Sequence, residues 1–95
     1  MAYKVLHIID SFRLGGAQTF LRDLAIQQKK DKFVEPEVCS LAGTNWVSDQ
    51  ILSADVPLIS FDVNKKNLFE VFSIPLRLRS LIKENQYHLI HTHLN

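Results

Sequence analysis

The fold is decided by residues 4–25, which read KVLHIIDSFRLGGAQTFLRDLA. The apolar run from Val5 to Ile9 is too short for a helix and rich in β-branched residues, which is typical of a buried parallel strand. The glycines Gly15 and Gly16 follow, and apolar side chains then recur at helical spacing from Ala17 to about Lys30. A strand, a glycine-containing turn and an amphipathic helix in this order predict the first unit of an α/β protein.

The same alternation continues along the sequence. The further predicted elements are a strand over Glu37–Leu41, a helix through Trp46–Leu52, a strand over Pro57–Val63, a helix over Leu68–Asn85 and a strand over Tyr87–His93. We expect Pro36 to lie just before the second strand, where a missing N–H is tolerated. Thr44 or Asn45 is expected to cap the second helix, Gly43 to serve as a turn residue, and Pro75 to kink the third helix or to start a fresh one.

This order of elements also predicts how the strands are arranged. Right-handed crossovers place the second and third strands on one side of the first strand, and a return crossover places the fourth strand on its other side. The result is a Rossmann-like, three-layer α/β/α fold with a parallel sheet in the strand order 3-2-1-4. Ligands of such sheets bind beyond the carboxyl ends of the strands where the winding direction reverses. Here that position lies between residues 10–16 and the end of the fourth strand.

Composition narrows the class of protein. A chain of 95 residues corresponds to one domain or to part of one. The net charge of +1 lacks the excess of positive charge that is typical of nucleic-acid-binding domains, so we expect no nucleic-acid partner. The single cysteine, Cys39, cannot form an internal disulfide. Because no apolar stretch reaches the roughly 20 residues that span a bilayer, we expect a soluble, cytoplasmic protein.

The first turn has the chemistry of an anion site. It lacks the Gly-x-Gly-x-x-Gly spacing of a dinucleotide fold and the Gly-Lys-Ser/Thr ending of a P-loop. It does place Gly15 and Gly16 at a helix N-terminus, where backbone N–H groups can bind a phosphate without interference from side chains. Arg13 is expected either to add positive charge there or to remain a solvated loop residue.

The fourth strand carries two histidines on one face, since His91 and His93 are two residues apart. We expect His91 to be buried within the strand and His93 to face a ligand at the strand tip. Two imidazoles need a third or fourth ligand to hold a metal, and the further candidates are His7, His88 and Cys39, of which His88 lies on the opposite face. No metal site is predicted.

The motifs on these strands resemble those of a known family. Residues 4–10, the glycines with Ala17 and Gln18, and residues 87–95 (YHLIHTHLN) are similar to the N-terminal domain of GT-B glycosyltransferases. The resemblance is to the large retaining group, glycosyl transferase family 4-like of group 1 type, which includes bacterial lipopolysaccharide, capsule and exopolysaccharide transferases. It covers nearly all of the chain, although Gln18 stands where the family often has Glu.

The resemblance implies an activity. Two Rossmann-like domains of such an enzyme face each other around a nucleotide-diphospho-sugar, which is the donor substrate, and no cofactor is expected. Gly15 and Gly16, with Arg13, would approach the donor diphosphate. His93 would be the catalytic residue beside the transferred sugar and a glycan or lipid-linked acceptor. The sugar would move to an acceptor hydroxyl with retention.

The same resemblance implies that residues 1–95 are the N-terminal part of the N-terminal domain, with the C-terminal domain absent. We therefore expect the isolated chain to be inactive. Because of its uncovered sheet edge, we also expect self-association or only marginal stability at high concentration. The full-length protein would be cytoplasmic or peripheral at the membrane.

A second class remains open. The chain could be a stand-alone flavodoxin-like module that binds a small ligand or a protein without catalysis. A phosphoacceptor domain is disfavoured because Asp10 is the only acidic residue at the end of the first strand.

Overall fold

Strands and helices alternate along the whole of the computed structural model, which describes residues 2–11, 16–43, 46–64 and 66–93. The elements are β1 (Tyr3–Ile9), α1 (Gly16–Lys30), β2 (Val34–Ser40), α2 (Trp46–Ser53), β3 (Leu58–Ser60), α3 (Leu68–Asn85) and β4 (Leu89–His93). The predicted α/β class is confirmed. Within the described residues, none of the helices combines the length and the apolar character needed to cross a bilayer.

The sheet has the predicted topology. Its four strands are all parallel and lie in the order β3-β2-β1-β4. Strand β1 pairs with β4 from Val5 opposite Leu89 to Ile9 opposite His93. The carboxyl ends of these two strands therefore lie side by side, at the point where the winding direction reverses.

The helices cover both faces of the sheet. On one face, α1 and α2 pack on the odd-numbered side chains of β1, in a core cluster that consists of Ile9, Leu21, Ala25, Val38, Val47, Ile51 and Val56. On the other face, Leu6, Ile8 and Cys39 pack against side chains of α3 and its flanks, among them Leu78, Leu81, Ile82 and Tyr87. A three-layer α/β/α architecture results, and none of the described residues of α3 is buried.

Strand β2 differs from its predicted bounds because Pro36 lies inside it, not before it. The N–H of Val38 bonds to the carbonyl of Pro57, just before β3, so the nitrogen of Pro36, two residues earlier, faces the same side. Strand β3 does not extend that far, since its first residue, Leu58, pairs with Val38. The missing N–H of Pro36 therefore breaks no ladder hydrogen bond, and the strand continues through the proline.

Strand β3 is shorter than predicted, ending at Ser60 instead of Val63. Asp62 adopts a left-handed backbone (φ 51°), which interrupts the extended conformation. Aspartate tolerates this region better than most residues, because its short side chain can bond locally. The turn brings the Val63 N–H to the carbonyl of Leu41 at 2.9 Å.

Helix α3 is continuous through Pro75, so the expectation of a fresh helix there is wrong. Asn67 caps its N-terminus, with its side chain accepting from the N–H groups of Phe69 and Glu70. Gln86, with a left-handed backbone, ends it. The capping and the packing of α3 on the sheet offset a proline penalty of about 3 kcal/mol.

Gly43 is confirmed as a turn residue that needs glycine, since its φ of 82° is disfavoured for residues with a Cβ. The predicted caps Thr44 and Asn45 lie outside the described residues.

Candidate functional site

The site is the carboxyl edge of the sheet between β1 and β4. Helix α1 begins there at Gly16, and one turn later Phe20 places its ring 6.1 Å from that of His93. Gly16 at the start of α1 and His93 at the end of β4 therefore lie at the same edge of the sheet. The other two predicted site residues, Arg13 and Gly15, lie outside the described residues.

Gly16 has free space where a side chain would project. A Cβ built on it would meet no heavy atom within 4 Å, and the residue is exposed. Neither packing nor a left-handed backbone in the described chain thus requires glycine at this position. A glycine at such a position allows a ligand to approach the backbone closely. The first turn of a helix is where an anion can approach backbone N–H groups.

His93 is buried, not facing outward as expected from its place at the strand tip. Only 6% of it is exposed, and its Nε2 lies 2.9 Å from Nδ1 of the fully buried His7. The other nitrogen of His7, Nε2, lies 2.7 Å from the side-chain oxygen of Gln28 on α1. The three side chains form a continuous hydrogen-bonded chain from α1 to β4.

The direction of these hydrogen bonds follows from Gln28. Its Oε1 can only accept, so His7 Nε2–H donates to it. A neutral His7 then has a lone pair on Nδ1, which accepts from His93 Nε2–H. The second nitrogen of His93, Nδ1, is left as an acceptor. Gln28 therefore fixes the tautomers of both imidazoles.

Burial also keeps both imidazoles neutral. Desolvation lowers the pKa of His93 to about 4, and the nearby charges that His91 and His7 would carry lower it further. Desolvation likewise lowers the pKa of His7, against a smaller upward contribution from the hydrogen bond to Gln28. At neutral pH the pair can accept and relay hydrogen bonds, but it contributes no positive charge.

His91 is exposed, although it was expected to be buried. It lies on the sheet face covered by α1, on the outermost strand of the described sheet, and its ring stacks on that of His93 with centroids 4.1 Å apart. The rings of His7 and Phe20 lie next to that of His93, with centroids 5.1 and 6.1 Å away, and the residue nearer the strand tip is the buried one. The burial of the two histidines is thus the reverse of the prediction.

Together, His7, His91 and His93 form a compact group. Each offers one ring nitrogen, and these nitrogens all lie within 4.8 Å of one another. The sequence analysis named His7 as a candidate ligand but did not place it here, and it missed Gln28 as a partner. The sequence did contain this information. His7 and Ile9 are two residues apart, so their side chains share one face of the sheet, and the predicted strand order places β1 beside β4.

Gln18, in the first turns of α1, is a further buried polar residue at this edge. Its Nε2 donates to the Ser11 carbonyl at 2.7 Å, while Oε1 has no hydrogen-bond partner among the described residues. A buried acceptor without a donor costs about 1–3 kcal/mol. Gln18 thus ties the start of α1 to the segment after β1, and its Oε1 is an acceptor that no described residue satisfies.

A cavity of about 270 Å³ opens at the same edge, on the α3 side of the sheet. It is lined by Asp10, Leu41, Ala42, Val63, Val71 and Ile74. These residues follow the carboxyl ends of β1, β2 and β3 or belong to α3, so the cavity and the histidines lie on opposite faces of the sheet. Its apolar walls with one carboxylate fit a small ligand of mixed polarity.

Comparison of the chain with protein-family models, curated proteins and solved structures gives no match.

Proposed function

We propose that this chain supplies the N-terminal half of the substrate cleft of a retaining GT-B glycosyltransferase. The reaction would move a sugar from a nucleotide-diphospho-sugar to an acceptor hydroxyl, in the synthesis of a surface polysaccharide or a glycolipid. The observation that carries the proposal is that the start of α1 at Gly16 and the end of β4 at His93 lie at one edge of a 3-2-1-4 sheet.

The diphosphate would lie at Gly16. The N–H groups of the first turn of α1 lie at the positive end of the helix dipole, which favours an anion by about 0.3–1 kcal/mol at an exposed site. The open space at Gly16 supports close approach of a phosphate to the backbone. Because His7 and His93 are neutral, the positive charge that stabilises the leaving diphosphate has to come from other residues, including those of the second domain.

The sugar would lie beside His93. Its Nδ1 lone pair, fixed by the His7–Gln28 chain, can accept a hydrogen bond from a sugar hydroxyl. The exposed ring of Phe20, next to His93, adds an apolar surface on which a sugar face can pack. His93 would act as an orienting acceptor of fixed tautomer, a role that fits a weakly basic imidazole better than general-base catalysis.

The test is sugar transfer by this chain in combination with its second domain, which the proposal requires in the same polypeptide or as a separate subunit. Incubation with a panel of nucleotide-diphospho-sugars and acceptors should yield a glycoside of retained anomeric configuration, identified by NMR. Gly16→Val should weaken donor binding by steric exclusion of the phosphate, while Gly16→Ser, which adds a smaller side chain, should weaken it less. Equal donor affinity in wild type and Gly16→Val would refute the placement of the diphosphate.

The second candidate function is a stand-alone small-ligand module, and the cavity on the α3 side favours it. In that case a small molecule would bind the chain alone, and Ala42→Leu, which fills the cavity, would abolish binding. Under the glycosyltransferase proposal, Ala42→Leu leaves donor binding at Gly16 unchanged, so the two functions give different outcomes.

A further inference from the structure

We propose that His7, His91 and His93 form a binding site for a divalent metal ion of the zinc class, with an open coordination position toward solvent. The inference rests on the geometry of the three imidazoles. It shares His93 with the proposed transfer site, and with the metal bound His93 would present an Nδ1–H to a sugar in place of the Nδ1 lone pair.

The three ring nitrogens are close to the spacing that a metal requires. Zinc binds histidine nitrogen at about 2.0–2.1 Å, so two nitrogens on one tetrahedral ion are about 3.3–3.4 Å apart. His7 Nδ1 and His93 Nε2 are 2.9 Å apart and need to separate by only a few tenths of an ångström. All three nitrogens lie within 4.8 Å of one another, and the exposed His91 has the freedom to close the remaining gap.

Gln28 prepares His7 as a ligand. A metal-bound histidine usually donates its other N–H to a carbonyl or carboxylate, which fixes the ring orientation and tautomer. The 2.7 Å contact of His7 Nε2 with Gln28 Oε1 has this arrangement, and it leaves the Nδ1 lone pair directed at His93. On metal binding, the proton of His93 would move from Nε2 to Nδ1, so all three imidazoles remain neutral ligands.

The chemistry of the ligands selects the metal. Three imidazoles without a carboxylate suit zinc, copper or nickel and disfavour magnesium and calcium, which prefer oxygen. Three protein ligands with one exposed position correspond to an open site, in which water or a substrate oxygen takes the fourth place. The single thiol, Cys39, is not among the clustered residues and is buried.

The experiment is titration of the metal-free 95-residue chain with Zn²⁺ by calorimetry, and with Co²⁺ by visible absorption. We expect one ion per chain and the intense visible bands of four-coordinate Co²⁺. His91→Ala, at an exposed position, should fold and lower the Zn²⁺ affinity at least about tenfold, and Gln28→Leu should lower it about 10–100-fold. Gln28→Glu, which supplies a carboxylate to the same His7 N–H, should retain or raise it.

His88→Ala is the matched control, because His88 is the one histidine outside the cluster. It should bind Zn²⁺ as wild type does. A wild-type affinity no higher than that of His91→Ala, or an equal loss in His88→Ala, would overturn the site. A Co²⁺ spectrum of octahedral type would overturn the three-imidazole coordination even if Zn²⁺ bound.

Discussion

Acidification of the metal-free chain tests the buried histidine pair. The pKa of His93 is lowered from 6.5 to about 4 by desolvation first and then by the neighbouring His91 and His7. A histidine with a depressed pKa in the folded state binds its proton more readily in the unfolded chain. Between those two pKa values the unfolded chain therefore carries more protons, so the free energy of unfolding falls as the pH falls from 6.5 toward 4.

The size of this effect follows from the two pKa values. Each tenfold change in acidity corresponds to about 1.4 kcal/mol, so His93 alone accounts for about 3 kcal/mol in total and for about 2 kcal/mol between pH 7 and pH 5. His7 adds to this loss in the same direction, because desolvation also lowers its pKa. The interval from pH 7 to pH 5 lies above the ordinary range of carboxylates, which limits their contribution.

The assay is urea denaturation at pH 7 and pH 5 in the presence of EDTA. Wild type should lose about 2 kcal/mol or more, whereas His93→Gln, which has no titrating group at that position, should lose clearly less. His88→Gln keeps both buried imidazoles and should lose as much as wild type. If His93→Gln and wild type lose the same free energy, the pair is not the source of the acid sensitivity.

Three further predictions concern the rest of the chain. Burial raises the pKa of the Cys39 thiol to about 11. Alkylation by iodoacetamide at pH 8 should therefore be at least about 100-fold slower in the folded chain than in urea. Equal rates would mean that the thiol is accessible in the folded chain. Tyr87→Phe removes a 3.1 Å hydrogen bond that the phenol donates to Glu37. It should lower the free energy of unfolding by about 1 kcal/mol in thermal or urea denaturation. An unchanged value would show that this hydrogen bond adds no net stability. Strand β4 is an edge strand of the described sheet, and 59% of its residue Leu89 is exposed. The chain should therefore self-associate in sedimentation at high concentration, and Leu89→Lys should reduce the association. A monomer at all concentrations would contradict this prediction.

The sheet could be predicted from the sequence because the patterns that indicate its first strand and helix are strong and local. The run from Val5 to Ile9, the glycines after it and the helical spacing up to Lys30 all favour one α/β unit, and the right-handed crossover rule then leaves few topologies. The bounds of β2 and β3 could not be predicted in the same way. Pro36 is tolerated because β3 begins only at Leu58, opposite Val38, and β3 ends early because Asp62 turns left-handed, so both bounds depend on neighbouring segments.

The strand arrangement around the candidate site could be predicted from the sequence, but the burial of its histidines could not. The strand order places His93 beside β1, and the two-residue spacing places the side chains of His91 and His93 on the same face of the sheet. Which of the two is buried depends on tertiary contacts, such as the hydrogen bond between His93 and the buried His7, and spacing along the strand does not predict them. The pairing of Gln28 with His7 joins residues 21 positions apart and has no signature in local spacing.

The central claim is the proposal that the edge with Gly16 and His93 handles sugar transfer, and the most direct measurement is the kinetic effect of His93→Ala in the chain combined with the second domain that the proposal requires. The account predicts that kcat falls about 10²-fold while donor affinity stays close to wild type, because His93 would orient the sugar and the acceptor and would not bind the diphosphate. His88→Ala, just before the same strand and outside the site, should leave both constants unchanged. Turnover by His93→Ala at the wild-type rate with unchanged acceptor affinity would contradict the account and leave only the fold.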